Sequence, residues 1–474
     1  MRSTFRRSAT LALALTACHG NSAPSVSTDT LGWIRVDHGR LRDDTGREWL
    51  LHGINARVSG LFDVTFDDGR QPLETIPDFT ADDAKRMAAL GFNFLRLPIN
   101  WSGLEPARGQ FSQAYLQRLS QVVEWCRQAG LYVLIDFHQD AYSKEIGEDG
   151  APLWAVLPTP TTPIGGPLTD LGQRRTSPPV QAAYDHFFND DQSLQEQFLE
   201  GWATVVSAHA SESHVIGFEV MNEPSAFQVN NGAALLQAFY VKAATSMRKL
   251  DARHTLWLEP DAGRNLSLAA PLLTTPFPDA NVVYEPHLYP ALLTVPSNSE
   301  NDWRTALTAT FDAMVAEGES WGGATVLGEW GQNPDTAGAP YIHAVRALAE
   351  DHAIGEGFWL WKEQSQGNWG LFDASADGSW KDRTAGMREV ATPYAMAVPG
   401  RLAKHQFDRA TATLTVSFVA SGSEAAPLLY LPVEWYPNGT TVSLNGNRVE
   451  AGSGRVLLPW SGDAGTFDLV VAPK

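Results

Sequence analysis

Between Leu31 and about Val398 the hydrophobic residues fall into two alternating textures. Short apolar runs occupy Trp49–Gly53, Phe92–Leu97, Leu131–Phe137, Val215–Val220, Thr255–Leu258, Val282–Glu285, Ala324–Leu327 and Gly357–Leu360. Runs of this length predict strands buried on both faces. Most are separated by apolar residues at helical spacing, over Asp82–Leu90, Gln113–Gln128, Asp191–Ser207, Ala233–Leu250, Trp303–Glu317 and Ile342–Asp351. Eight buried strands alternating with helices predict an α/β chain folded as a (β/α)8 TIM barrel. The structural rival, a doubly wound open sheet, normally carries a Gly-rich phosphate loop after its first strand. His52-Gly53-Ile54-Asn55 is not such a loop.

After Pro399-Gly400 the period changes to strict alternation, as in Thr411–Phe418, Val442–Leu444, Val456–Leu458 and Phe467–Val471, with turn signals at Asn438-Gly439 and Asn445-Gly446. This predicts a closing antiparallel β-sandwich over 399–474, behind a barrel over 31–398. Within the barrel, Ser143–Asp190 is long and rich in Pro and Gly. A segment of this length following the third strand belongs over the barrel mouth. Its apolar cluster Leu153, Trp154, Val156 and Leu157 is the expected wall of an apolar trough.

Composition narrows the function classes. The formal net charge of -19 argues against binding to nucleic acid, and no basic stripe is present. The 16 Trp residues suit both a core and platforms for sugar rings. At the N-terminus, Arg2, Arg6 and Arg7 precede the apolar run Ala9–Ala17, too short to span a bilayer, which reads as an export signal over 1–17. Its end, Leu15-Thr16-Ala17-Cys18, resembles the bacterial lipoprotein signal box. That resemblance implies lipid attachment at Cys18, a polar tether over 18–30 and a membrane-surface location without a transmembrane helix. The other cysteine, Cys126, lies on the apolar face of a helical pattern and is expected to be a buried free thiol.

The candidate chemistry gathers just after the predicted strands: Asn55, Arg96, His138 with Asp140, Asn222 with Glu223, Glu259, His287 with Tyr289, Glu329, and Trp361 with Lys362. In a barrel these positions converge on the C-terminal mouth, where active sites are built. Two strands end in a carboxyl in a marked setting, Met221-Asn222-Glu223-Pro224 and Leu327-Gly328-Glu329-Trp330. They are the fourth and seventh strands, on opposite sides of the mouth. Glycosidic cleavage needs two carboxyl groups flanking the anomeric carbon, one to protonate the leaving oxygen and one to attack or stabilise the sugar cation. Asp136 and Glu219 are expected to be structural, whereas Glu259 and Glu285 also end strands and could be mistaken for a catalytic carboxyl. No spaced metal-ligand motif is present, and the chemistry requires neither metal nor cofactor.

These motifs, taken in strand order with Leu95-Arg96-Leu97-Pro98, Asp136-Phe137-His138 and Glu285-Pro286-His287-Leu288-Tyr289, resemble glycoside hydrolase family five of clan A over nearly the whole barrel. The resemblance implies a retaining mechanism with Glu223 as acid/base and Glu329 as nucleophile. It implies substrate contacts from Asn55, Arg96, His138, Asp140, Asn222, His287, Tyr289, an aromatic floor at Trp361, and Lys362 at the rim. For Glu223 to act as an acid, apolar surroundings and the Glu329 charge are expected to raise its pKa. Ile135–Ser143 followed by Asp149–Ala155, the Pro-rich insertion, Phe358–Glu363 and the C-terminal sandwich further resemble the endoglycoceramidase group, with steryl-β-glucosidases sharing much of the pattern. One departure is Ala56-Arg57-Val58-Ser59-Gly60, which carries Arg57 where that group often has Lys; the two are not equivalent donors. The expectation is therefore a monomeric glycolipid glycosidase, with a steryl glucosidase, a cellulase or mannanase, and a non-catalytic sugar-binding barrel as alternatives. The last is disfavoured because both carboxyls and their supports are intact.

Overall fold

A computed structural model of the chain describes residues 31–265, 276–289, 295–364 and 369–474. The export signal, Cys18 and the 18–30 tether lie outside the described residues.

Eight parallel strands close into a barrel. In chain order they are β1 (His52–Asn55), β2 (Phe94–Ile99), β3 (Tyr132–Phe137), β4 (Val215–Glu219), β5 (Thr255–Leu258), β6 (Val282–Tyr284, resuming at His287–Leu288), β7 (Ala324–Trp330) and β8 (Gly355–Phe358). Each pairs with its neighbours in sequence, and β8 pairs with β1 to close the ring. All residues of these strands are buried, inside against the barrel centre and outside against the helices, so the pattern reads as continuous apolar runs rather than alternation. Gly53 is needed in β1, because a Cβ there would lie 2.0 Å from the Phe94 ring of β2.

The helices follow the expected periodicity, over Ala81–Ala89, Gln113–Ala129, Leu194–His209, Gly232–Met247, Glu300–Trp321 and Ala339–His352. The first is capped by Thr80 and Asp83 in a reciprocal box, which satisfies two backbone groups left open at a helix start. The insertion after β3 is not a bare loop. It carries a helical turn at Leu171–Arg174 and the helix Pro178–Phe188. Pro at a first helical turn fits there because its missing N–H has no partner to lose.

The sandwich draws on both sides of residue 398. Its inner sheet of six strands runs Ile34–Asp37, Arg40–Asp43, Arg47–Trp49, Tyr394–Pro399, Leu428–Leu431 and Gly454–Leu457. Four of these strands lie in the 31–398 segment read from sequence as barrel. The outer sheet of five strands is built from residues after 400. The centre of the inner sheet, Tyr394–Pro399 and Leu428–Leu431, is buried on both faces. Trp49, Met396 and Tyr430 pack with Phe94, Tyr132, Leu134 and Trp257 under the barrel, while Ala395, Val398, Leu429 and Leu431 pack with Leu414, Val416, Phe418 and Leu469 of the outer sheet. Hydrogen bonds fasten the same interface: Tyr394 Oη donates to Gly91 O at 2.6 Å, and Arg455 donates to Gly130 O and Phe92 O at 2.6 and 2.8 Å. Arg455 thereby satisfies a carbonyl at the end of the helix Gln113–Ala129. The sandwich closes the bottom of the barrel and leaves the opposite mouth free.

Candidate active site

At the mouth, a cavity of about 550 Å³ is bordered by Glu223, Glu329, Asp140, Tyr289 and Trp359, with Arg57, Phe62, Arg175, Phe227, Asn265 and Trp369 around its rim. Each barrel strand ends in a residue aimed at or just beneath this space.

Arg96, at the centre of β2, is fully buried and organises the floor. Its Nη1 donates to Glu329 Oε1 and, at 3.0 Å, to Asn55 Oδ1. Its other nitrogens donate to both oxygens of Glu219 and, at 2.8 Å, to Asn222 Oδ1. Asp136 approaches it within 3.1 Å. One guanidinium thus faces several carboxyls in a low-dielectric interior, where an unpaired charge would be costly. Burial, followed by repulsion from Glu219, raises Glu259 and Glu285 well above the ordinary carboxyl range, so both are held as neutral acids. Asp136 and Glu219 stay buried within the barrel, as the sequence predicts, and so do Glu259 and Glu285.

The two remaining carboxyls face the cavity. Glu329 receives the Arg96 bond on one oxygen and a Tyr289 Oη–H bond of 2.8 Å on the other. Glu223 lies immediately past β4 in a left-handed backbone conformation, φ 39°, uncommon for a residue with a Cβ. Its N–H is satisfied by Glu259 Oε1 at 2.8 Å. Its Oε1 lies 3.0 Å from His287 Nδ1 and accepts from Asn265 Nδ2 at 2.9 Å; its Oε2 accepts from Arg175 Nη1 at 3.0 Å. His287 also lies 3.6 Å from Glu329 Oε2, and one oxygen of each carboxyl comes within 4.8 Å of the other.

The pKa of Glu223 runs opposite to the expectation. Burial raises it, but the His287 hydrogen bond, then the Arg175 and His287 charges, outweigh that and bring it down to about 2. Sequence reasoning counted the apolar walls and the neighbouring Glu329 but had no means of placing a cation from the insertion against this carboxyl. In the structure as it stands Glu223 is an anion, the form suited to a base and not to an acid.

His138, past β3, donates through Nδ1 to Asp136 at 2.6 Å and leaves its buried Nε2 with no hydrogen-bond partner. Burial lowers its pKa, but Asp136 more than compensates, so it is held as a cation. Its ring stacks on Trp359 at 5.9 Å and lies against Phe62 at 5.5 Å. Its Nε2 lies 3.6 Å from Asp140 Oδ2. Asn55 and Asn222 lie one layer deeper, occupied by Arg96 on their carbonyl oxygens and by backbone oxygens on their amides. They steady the floor in this state and do not border the cavity.

Two expected residues turn away. Trp361 is 1% exposed, donates through Nε1 to Asp83 at 2.9 Å and packs edge-on against Phe372. Lys362 pairs with the same Asp83 at the head of the first helix. The cause is the strand end: β8 stops at Phe358, two residues before the expected Leu360. The first residue beyond it is therefore Trp359, which supplies the aromatic wall of the cavity. The expected apolar trough is also displaced. Val156 is buried in the main core with Trp154 and Leu157 against it, and Leu153 is exposed; Trp154 donates to Glu105 O. These side chains hold the insertion down, and the apolar rim comes instead from Phe62, Phe227, Trp359 and Trp369. Trp359 stood in the quoted motif and needed only a correct strand end, whereas Arg175, Asn265 and Phe227 carried no local signal.

Three groups, His138/Asp140/Asp149, Glu219/Glu285/His287 and Glu223/His287/Glu329, bring metal-capable atoms close together. Arg175 bonds to Asp140 and Glu223, and Arg96 lies against Glu219, Glu285 and Glu329, so guanidinium groups already supply positive charge in each.

The chain matches the cellulase family, glycosyl hydrolase family 5, over residues 65–365, and the family 5 C-terminal domain over 393–471. It is 26% identical to endoglycoceramidase I of Rhodococcus hoagii (strain 103S) over 451 residues, covering 90% of this chain and 85% of the relative. Endo-glycoceramidase II from Rhodococcus sp., solved as a lactosyl-enzyme intermediate and with ganglioside GM3, is 26% identical with a TM-score of 0.75; each alignment covers 92% of this chain and all of that one. A crystal structure of an endogalactoceramidase is 25% identical with a TM-score of 0.72, covering 93% of this chain and 100% of that one. With two carboxyls facing the cavity at the mouth and both domains matched, the chain is a glycoside hydrolase and belongs to glycoside hydrolase family 5.

Proposed function

We propose that this enzyme is a retaining endo-type hydrolase that cleaves the β-glycosidic bond between the sugar and the lipid of a glycosphingolipid. The observation that carries the mechanism is the approach of Glu223 and Glu329 to within 4.8 Å, nearest oxygen to nearest oxygen, across the cavity. Inverting enzymes leave about 6.5–9.5 Å between their carboxyls to admit a water, whereas retaining ones keep about 5–5.5 Å. Glu329 attacks the anomeric carbon while the bond to the aglycone oxygen breaks and that oxygen takes the proton of Glu223. Water then adds to the same carbon, giving its proton to Glu223 and releasing Glu329. Arg96 and Tyr289 steady the Glu329 carboxylate, and His287 orients Glu223.

The substrate reading is supported by the relatives titled endoglycoceramidase and by the ganglioside complex of one of them. It is supported also by the apolar rim beside the catalytic pair. A lipid anchor at Cys18 would hold such an enzyme at the surface where its substrate lies, and mass spectrometry of the mature N-terminus tests it. The substrate assignment is tested by incubating the protein with glucosylceramide, a ganglioside, a steryl glucoside and carboxymethylcellulose. Release of intact oligosaccharide together with ceramide is the expected result; cleavage of the steryl glucoside or of the polysaccharide alone contradicts it.

A further inference from the structure

Arg175 stands in the active site although nothing in the barrel strands brings it there. It lies between the helical turn Leu171–Arg174 and the helix Pro178–Phe188, in the insertion that follows β3. Its Nη2 donates to Asp140 Oδ1 at 2.5 Å and its Nη1 to Glu223 Oε2 at 3.0 Å. Its Nε is buried with no hydrogen-bond partner. The other oxygen of Glu223 is already engaged by Asn265 and His287, both rooted in or near the barrel ends. Oε2 is therefore the oxygen left to serve the leaving group, and Arg175 occupies it.

Such a bond sets a condition on the first chemical step. Glu223 must carry a proton on Oε2 to release an unactivated alcohol, and a guanidinium bound there favours the ionised form. The step proceeds once Arg175 has moved off Glu223. It keeps Asp140 as an anchor, and its freed Nη1, on a side chain 40% exposed, can meet water, but its buried and unpartnered Nε gains from an acceptor, because buried donors left unpaired are costly. An aglycone entering beside Glu223 is a source of such an acceptor on the cavity side, opposite Asp140 and Glu148.

We propose that Arg175 is a specificity-determining residue that latches the acid/base carboxylate and releases it to aglycones bearing hydroxyl or amide oxygens next to the glycosidic oxygen. A plain hydrocarbon aglycone offers no such acceptors and leaves the latch closed. After the aglycone departs, the return of Arg175 to Glu223 favours the ionised form that the second step needs as a base. The inference rests on the proposed acid/base role of Glu223 and deepens the glycosphingolipid reading, whose amide and hydroxyl lie at the required place.

The test compares wild type, Arg175→Met and Arg175→Lys on three substrates with one sugar: a glycosphingolipid, an alkyl glycoside of equal chain length and a glycosyl fluoride, which needs no proton from Glu223. Wild type should prefer the glycosphingolipid to the alkyl glycoside by about tenfold or more in kcat/KM, the effect of one pKa unit on the reactive form. In Arg175→Met that preference should fall to about threefold or less, chiefly because the alkyl glycoside gains relative to the fluoride; Arg175→Lys should restore part of it. The high-pH limb of kcat/KM reports the acid in the free enzyme, so losing the cation should move it up by about one unit. The groups facing Glu223 in that titration are Arg175, His138, Glu259, His287 and Glu329, with Asp140 and Glu148 behind Arg175. An unchanged preference, or an equal loss on all three substrates, overturns the proposal. Should the enzyme cleave only a different class of glycoside, the substrate reading fails on its own. The pH limb measured on that glycoside then decides: moved in Arg175→Met, the latch stands; unmoved, it falls.

Discussion

Glu329 takes its hydrogen bonds from Arg96 in β2 and from Tyr289 just past β6, whereas Glu223 takes one of its bonds from an inserted segment. The first carboxyl is held entirely by groups on or beside the barrel strands, themselves locked by Asn55 and Glu219. The second is shared between the barrel ends, through His287 and Asn265, and the insertion, through Arg175. The difference fits the proposed chemistry. A nucleophile must stay in one protonation state and one place, and rigid strands supply that. An acid that later acts as a base must change its proton and its partners, and a group on an inserted segment can do so without disturbing the barrel.

Several substitutions would break or sharpen this contrast. The largest effect is expected from Glu329→Gln, which should lower turnover on every substrate, activated or not, by about 10⁴-fold or more. Retention of the wild-type circular dichroism spectrum would show that chemistry and not folding was lost. Glu223→Ala should cost about 10²–10⁴-fold on an unactivated glycoside and far less on a dinitrophenyl glycoside, whose leaving group needs no proton. Equal losses on the two would remove Glu223 from the acid role. On the rigid side, Arg96→Met strips the charge from a floor of buried carboxyls and should destabilise the protein by about 3–5 kcal/mol, read as a fall in the denaturant midpoint. A variant as stable as wild type would mean that the carboxyls share protons well enough without the cation. Smaller effects should divide the two tryptophans past β8. Trp359→Ala should raise KM about tenfold or more through loss of a sugar-facing ring, an estimate based on the worth of one aromatic contact. Trp361→Ala should leave KM near wild type and lower stability by about 3 kcal/mol, as for a buried aromatic. The reverse pattern would restore Trp361 as the platform. The smallest effect on catalysis is expected from Trp154→Ser, which should weaken long-chain and short-chain substrates alike, since this side chain packs on Trp101 and the core.

The same division governs what could be read from the sequence. The eight strands and the six main helices were legible because each strand is a short, largely apolar run and polar or aromatic residues gather close to its end. Pairing partners far apart in sequence were not. The sequences of Arg47–Trp49 and Tyr394–Pro399 do not state that these strands pair with each other, or that the second pairs with Leu428–Leu431, under the barrel. A two-residue error at the end of β8 exchanged Trp359 for Trp361, because the ends of elements are the least precise part of a sequence pattern. The pKa of Glu223 was misjudged for a related reason. Its walls are strand-borne and visible, but the hydrogen bond from His287 and then the charge of Arg175 outweigh them, and no periodicity specifies the position of Arg175.

The most direct test of the account is to trap the covalent intermediate. The protein is treated with a 2-deoxy-2-fluoro β-glycoside carrying a good leaving group, whose fluorine slows both steps and the second more, and is then digested and mapped by mass spectrometry. The account predicts one added fluoroglycosyl group, located on Glu329 within Val326–Gly331, and its loss when a free acceptor is supplied. Stoichiometric labelling at another carboxyl, or rapid turnover without an adduct to a product of inverted anomeric configuration, contradicts it.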